Sequence, residues 1–376
     1  MSAGSGMSDV VIVGGGIVGA CCAFYLAREG IDATLIERAG IASQASAWNP
    51  GGVNPLHGEE IPGRMAPFAM HSYRLHHDIV DELQATGDTS VSLRSAPRVQ
   101  LALNEQEQDR LSRVEARYNA TEGFSAEYMP ATALRAMLPA LRPRVVGGLL
   151  QRGNCSVDTR EYAGAMINYA KARGLRVISG ELTEIIQGDH GAIGIRVGSD
   201  TLRFDKLVLA TGSRIAHLST HLNSALLVQP ITGQLLRVRA QQLELNVDIT
   251  HDLAGVYRQL DGTLMLGGTE EHQGSDPSPD ANGRATILHR IAQFIDLGAF
   301  SILDHGAGAR PVSHDRLPLL GQVPGWDNVY MANGGGRKGV LYASGMGYAV
   351  AQMITTGQSG SEAQHLNVDR LICNGR

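Results

Sequence analysis

The chain has 376 residues, of which 43% are hydrophobic, and a formal net charge of −5. That length and apolar content bury a large core in two domains, and the acidic balance argues against a nucleic-acid partner or an anionic membrane surface. The four cysteines are Cys21, Cys22, Cys155 and Cys373, without a C-x-x-C, which speaks against a zinc site or disulfide scaffold and for a reducing, cytoplasmic setting.

Residues 1–8 are small and polar and are expected to be a tail. Residues 10–13 form a short β-branched run, and Gly14, Gly16 and Gly19 follow as G-x-G-x-x-G. Residues 17–29 read as a helix with Val18, Cys22, Tyr25 and Leu26 on its inner face. A second strand, 33–36, ends on Glu37. This is a β-turn-α-β fingerprint for an adenine dinucleotide. Gly14 allows the tight turn, Gly16 lets backbone approach a pyrophosphate, and Gly19 lets helix and strand pack. The helix start offers free N–H groups to phosphates. Glu37 lies about 20 residues downstream, within reach of a ribose hydroxyl. The apolar stretch 10–27 contains four glycines and no basic residue precedes it, so no integral membrane segment is expected.

Residues 38–52 are a loop of small residues that brings backbone close to a ring system. Residues 65–85 read as a helix with Met70, Tyr73, Leu75, His77, Ile79, Val80 and Leu83 inside. Its histidines, His71, His76 and His77, lack metal-ligand spacing, and no metal is expected. Strands at 99–103, 127–129 and 145–150, with helices at 105–120 and 131–137, suggest an α+β unit. Asp158 or Thr159 caps a helix running to about 173, and a strand at 175–178 follows. An antiparallel pair spans 181–186 and 193–197, and a buried strand, 207–212, ends at Gly212. Strands at 226–239, 256–259 and 264–268 flank the hairpin turn Asp261-Gly262. A loop at 272–282, a helix at 287–295, a Pro-rich stretch, a strand at 329–332, a loop at 333–339 and a helix to about 354 complete the chain, and 361–376 reads as a loosely packed tail.

These motifs, taken in order over residues 9–355, resemble the FAD-dependent amine oxidoreductases of the D-amino-acid oxidase, glycine oxidase and sarcosine oxidase type. The matching blocks are the 14–19 fingerprint with Glu37, Ala42-Ser-Gln-Ala-Ser46 with Gly51-Gly52, Ala210-Thr-Gly212, Pro230-Ile-Thr-Gly-Gln234, Gly308-Ala-Arg-Pro311 with Pro318 and Gly321, and the glycine-rich 333–339 loop. The resemblance implies an α/β fold: a discontinuous Rossmann-like FAD-binding domain (9–88, 152–222, 308–360) and a second α+β substrate domain on a largely antiparallel sheet (89–151, 223–307), with tails at 1–8 and 361–376. It implies that FAD is bound by Gly14, Gly16, Ile17, Val18, Gly19, Glu37 and Arg38, by Ser43, Ala45, Ser46, Gly51 and Gly52, by Leu182, Ala210, Thr211 and Gly212, and by Gly335, Gly336, Arg337, Lys338, Gly339 and Val340. No cysteine lies near 308–325, so the FAD is expected to be non-covalent.

For the substrate site the resemblance implies Arg310, Tyr257 and Arg337. Arg310 would hold a carboxylate bidentately; tying strand to loop is its alternative role. Arg337 would sit near carboxylate or flavin, or be structural, and Tyr257 would contact substrate or fill a strand core. His57 faces either substrate or solvent. The implied reaction is oxidation of the C–N bond of a small amino acid, N-substituted amino acid, imino acid or opine, with O2 or another electron acceptor. A homo-oligomer, a subunit that passes electrons to a partner, and a non-catalytic FAD protein remain alternatives.

Overall fold

The computed structural model describes residues 8–373 apart from 89, 219–220, 223–224 and 227, so the expected N-terminal tail lies outside it up to residue 7. Ser8 already belongs to the first strand, Ser8–Val13. That strand is central in a six-stranded sheet ordered Leu319–Gln322, Val329–Asn333, Phe204–Leu209, Ser8–Val13, Ala33–Glu37, Arg176–Ser179. All its pairings are parallel except that of the edge strand Leu319–Gln322. Successive side chains of a strand point to opposite faces. Val10 and Ile12 therefore join the core under the helices, while Val11 and Val13 pack with Ile185 and Ile195 of a small three-stranded antiparallel sheet.

Helix Ile17–Arg28 is wedged between that sheet and helices Thr159–Lys171 and Gly339–Thr356. It is buried on nearly every side, so the inner face expected for it is too narrow, and Val18 is only half-buried. Helix Ala66–Ala85 turns Phe68, Ser72, Leu75, His76 and Ile79 inward, whereas Met70, Tyr73 and His77 are half-buried. Gly345 leaves room for this face, because Phe68 and Ser72 press where its side chain would be. His76 tolerates burial because its ring meets the Tyr162 hydroxyl and the Val340 and Leu341 carbonyls, each at 3.0 Å.

A second sheet has eight strands, ordered Phe300–Ser313, Val228–Ala240, Leu264–Gly267, Ala254–Arg258, Asp248–His251, Arg98–Ala102, Gly147–Arg152, Ser125–Pro130. One pair, Asp248–His251 with Arg98–Ala102, is parallel. Helix Ala281–Ala292 packs Ile287 and Ile291 on the face made by Val99, Leu101, Ile249, Val256 and Leu266. It starts earlier than expected because Asp280 caps it, accepting from Gly283 N–H.

Strands that escape the sequence reading include Asp248–His251, Phe300–Ser313 and Leu319–Gln322. The longest of them pairs along the whole of Val228–Ala240, and the division expected at 307/308 falls inside it. Its glycines and Pro311 look like a loop, yet it is an edge strand, where proline is tolerated. The C-terminal segment is docked rather than loose. Ala363, Leu366 and Val368 are buried. Arg370 donates to Asp315 at 2.8 Å and to the Leu317, Pro318 and Leu366 carbonyls. Arg370→Ala is expected to lower the unfolding free energy by about 1–3 kcal/mol, read from urea denaturation; an unshifted midpoint would show that this docking contributes nothing.

Candidate active site

The carboxyl ends of Ser8–Val13, Ala33–Glu37 and Phe204–Leu209 open on a cavity of about 590 Å³. Most of the residues expected to bind cofactor line it. Gly14, Gly16, Ile17 and Val18 come from the turn and helix start, and Glu37 and Arg38 from the end of the second strand. Ser43, Ala45 and Ser46 come from the next loop, and Leu182 from the small antiparallel sheet. Ala210, Thr211 and Gly212 follow strand Phe204–Leu209, and Gly335, Gly336, Arg337, Gly339 and Val340 close the far wall.

Four expected residues stand elsewhere. Gly19 does not line the cavity; a side chain there would overlap the Gly14 carbonyl, so its role is packing. Gly51 backs onto the Val157 carbonyl with equally little room. Gly52 and Lys338 face a second cavity of about 850 Å³.

The first cavity has the donor set of a polar ligand site. Ser43 Oγ, Thr211 Oγ1 and Asn333 Nδ2 line it, buried and without a protein partner. Buried polar atoms are ordinarily paired, so these three fit a ligand's polar groups. The helix start at Gly16 has no side-chain cap, and one of its amides, Ile17 N–H, donates to Ser46 Oγ at 3.0 Å. Glu37 accepts from Gly15 and Ala39 N–H, both at 2.7 Å, which holds its carboxylate at the cavity wall. Arg38 and Arg214 both grip Asp276 at 2.6 Å, tying the 272–280 loop to the rim. Sequence reasoning included Asn333 in the glycine-rich 333–339 block but did not name it as a site residue, and it passed over Asp276, in a Ser/Asp/Pro-rich loop without a motif. It also passed over Trp48, whose indole occupies the space left by Gly306.

The second cavity meets the first at Tyr257, Arg310 and Arg337. Arg310 stands on Phe300–Ser313, and its guanidinium lies over Gly233, where any side chain would collide with it. Its Nη1 donates to the Thr269 carbonyl at 3.3 Å. Burial and the charge of Arg337 push its pKa below the usual arginine value. The Tyr257 ring lies back over Gly255 in the same manner, and burial pushes its phenol up, against the pull of Arg98. Arg337 pairs with Glu270 at 3.7 Å. His57 lines the second cavity. Lys338 Nζ donates to the carbonyl of Asn54 at 3.0 Å and to its side-chain oxygen.

A family model described as FAD dependent oxidoreductase matches residues 9–353. The chain belongs to this family. Glycine oxidase of Geobacillus kaustophilus is 25% identical over 371 residues, 97% of either chain. The crystal structure of that organism's glycine oxidase superposes with a TM-score of 0.88 at 23% identity, covering 96% of this chain and 98% of the other. The structure of iminodiacetate oxidase from a Chelativorans species gives 0.86 at 21% identity, covering 95% and 98%. Among the described residues of this oxidoreductase no helix is long and apolar enough to cross a membrane.

FAD fits the first cavity through the helix start at Gly16, Glu37 and the three orphaned polar atoms. A Cβ at Gly16 would meet only Ser46 Oγ, at 3.2 Å, so protein packing alone does not demand glycine there. Gly16→Ala is therefore expected to fold normally but to weaken FAD affinity at least about 10-fold, whereas Gly19→Ala should lose stability by about 1–3 kcal/mol. FAD titration by fluorescence quenching and thermal melts of the two variants check this. A Gly16→Ala protein that binds FAD normally would remove the close approach of backbone to ligand.

Burial and the charges of Arg98 and Arg337 hold the Lys338 pKa well below the lysine range. The unfolded chain then binds more protons, so stability rises as pH climbs from the depressed folded value toward about 10.4. Lys338→Met is expected to lose that rise. Melting temperatures of both proteins between pH 7 and 10 read it directly, and parallel curves would mean an ammonium in ordinary water.

Proposed function

We propose that this FAD-dependent oxidoreductase oxidises the C–N bond of an amino acid or N-substituted amino acid. The carbon bearing nitrogen loses a hydride, the nitrogen a proton, and water converts the imine to an oxo acid. When bound, FAD supplies the two-electron acceptor, with O2 or another oxidant taking the electrons on.

One observation carries this reading: the Arg310 guanidinium stands where the two cavities meet, beside Tyr257. Apart from the Thr269 carbonyl, its side chain has no hydrogen bond or ion pair among the described residues. A guanidinium holds a carboxylate through two parallel N–H···O bonds and so fixes the neighbouring carbon. Tyr257 packs against the bound substrate, and Arg337, balanced by Glu270, adds positive charge at the junction. The relatives named glycine oxidase and iminodiacetate oxidase support an amino-acid substrate. Non-covalent attachment of FAD is supported by the position of Cys21, Cys22 and Cys155 outside the first cavity. Those three thiols are free, which supports a reducing compartment.

Arg310→Ala is expected to reduce kcat/KM for the best carboxylate substrate of a panel (glycine, sarcosine, D-alanine, D-proline, an opine) by about 2–4 kcal/mol of transition-state stabilisation. Steady-state kinetics with the FAD-loaded enzyme measures it. An unchanged value would overturn the carboxylate role.

A further inference from the structure

The junction around Tyr257 holds more positive charge than one carboxylate can balance. Arg98, Arg310, Arg337 and Lys338 all line the second cavity, and Glu270 is the acid that pairs with one of them, Arg337. Two other acids on the cavity wall are engaged elsewhere, Glu59 with Arg316 and Glu107 with His251, each at 3.0 Å, and Asp252 lines the wall without an ion pair to any of the four cations. The substrate carboxylate at Arg310 accounts for one cation. Lys338 has two acceptors on Asn54. Arg98 is left over.

Arg98 is the informative residue. It belongs to Arg98–Ala102, whose alternation sends Val99 and Leu101 into the core and Arg98 and Gln100 to the cavity side. It stands opposite Asp248, on the strand that pairs on its other side with Ala254–Arg258, the strand of Tyr257. Asp248 does not serve it, being engaged by Arg258 N–H and Nε. Among the described residues the Arg98 side chain makes no hydrogen bond and no ion pair, and its Nε is buried without a partner. A Cβ on Gly52 would lie 3.9 Å from an Arg98 Nη, which puts that guanidinium beside the short strand Gly52–Val53. Its charge reaches both Tyr257 and Lys338. A buried guanidinium N–H left without a partner is unfavourable, and a fork of N–H donors is the group that recognises a carboxylate bidentately.

Resting on the reading of Arg310 above, we propose that the substrate is a dicarboxylate, an amino or N-substituted amino acid whose second carboxylate is held by Arg98 in the cavity beyond Tyr257. Arg310 and Arg98 then bracket Tyr257, one for each acid group. Arg98 is a specificity residue: it binds the end of the substrate remote from the reacting carbon.

Isothermal titration calorimetry of the FAD-loaded enzyme tests this without turnover. The probes are acetate and propionate against malonate, succinate and glutarate, which carry no amine to oxidise. The wild-type protein should bind its best dicarboxylate on the order of 100-fold tighter than either monocarboxylate. Arg98→Met should erase that preference, Arg98→Lys should restore part of it, and Arg142→Gln, a surface arginine paired with Asp296, should keep it whole. Equal affinity of the wild type for both classes, a comparison that needs no variant, would overturn the proposal. So would an Arg98→Met protein that keeps the preference. Anaerobic addition of glycine, sarcosine, iminodiacetate, D-aspartate and D-glutamate separates the two readings. Bleaching by glycine or sarcosine with no calorimetric preference upholds amine oxidation and sinks the second acid site. A clear preference with no bleaching by any amine upholds the acid site and sinks amine oxidation.

Discussion

Between Gly14 and Gly19 there is no room for a methyl group. A side chain on Gly19 would overlap the Gly14 carbonyl, and one on Gly14 would overlap the carbonyl of Ala210. This contact presses the start of helix Ile17–Arg28 onto the ends of two neighbouring parallel strands, Ser8–Val13 and Phe204–Leu209. Everything else in the first cavity depends on it. Because parallel strands end on the same side of the sheet, the loops that follow them meet there. Thr211 and Asn333, far apart in the chain, therefore face the same space as the uncapped helix start.

The second sheet works by alternation instead of by close backbone contact. One face of its strands supplies Val99, Ile249, Val256 and Leu266 to a packed core under helix Ala281–Ala292. The opposite face carries Arg98, Tyr257 and Arg310 toward the cavities. Two glycines make this face usable. Gly233 and Gly255 lack the side chains that would collide with the Arg310 guanidinium and the Tyr257 ring. The same low-polarity surroundings that make unpaired cations unfavourable also strengthen their hold on an anion, so the charge at this junction trades stability for recognition.

Much of the architecture was legible beforehand. The helices at 66–85, 105–119 and 131–137 match local periodicity closely, since helix bounds are set by neighbours a few positions away. Strand Phe300–Ser313 was not legible, because its outer half is exposed and its residues are loop-like; pairing with Val228–Ala240 makes it a strand. Arg370 looked like part of a tail for the same reason, its partners being Asp315 and carbonyls of a distant turn. Lys338 follows Arg337 in a loop that borders the first cavity, yet its side chain points the other way, to Asn54.

By itself, the sequence determined the dinucleotide fingerprint, its glycine roles and the acid at Glu37, because a strand, turn, helix and second strand within residues 10–37 interact locally. The order of the remaining blocks carried the family. What only the tertiary structure decided is the charge around Tyr257. Arg98, Tyr257, Arg310 and Lys338 come from separate segments and meet through strand register and loop closure. No period along the chain encodes which cation is left without an acid, since that depends on every neighbour that folding brings, or fails to bring, within reach.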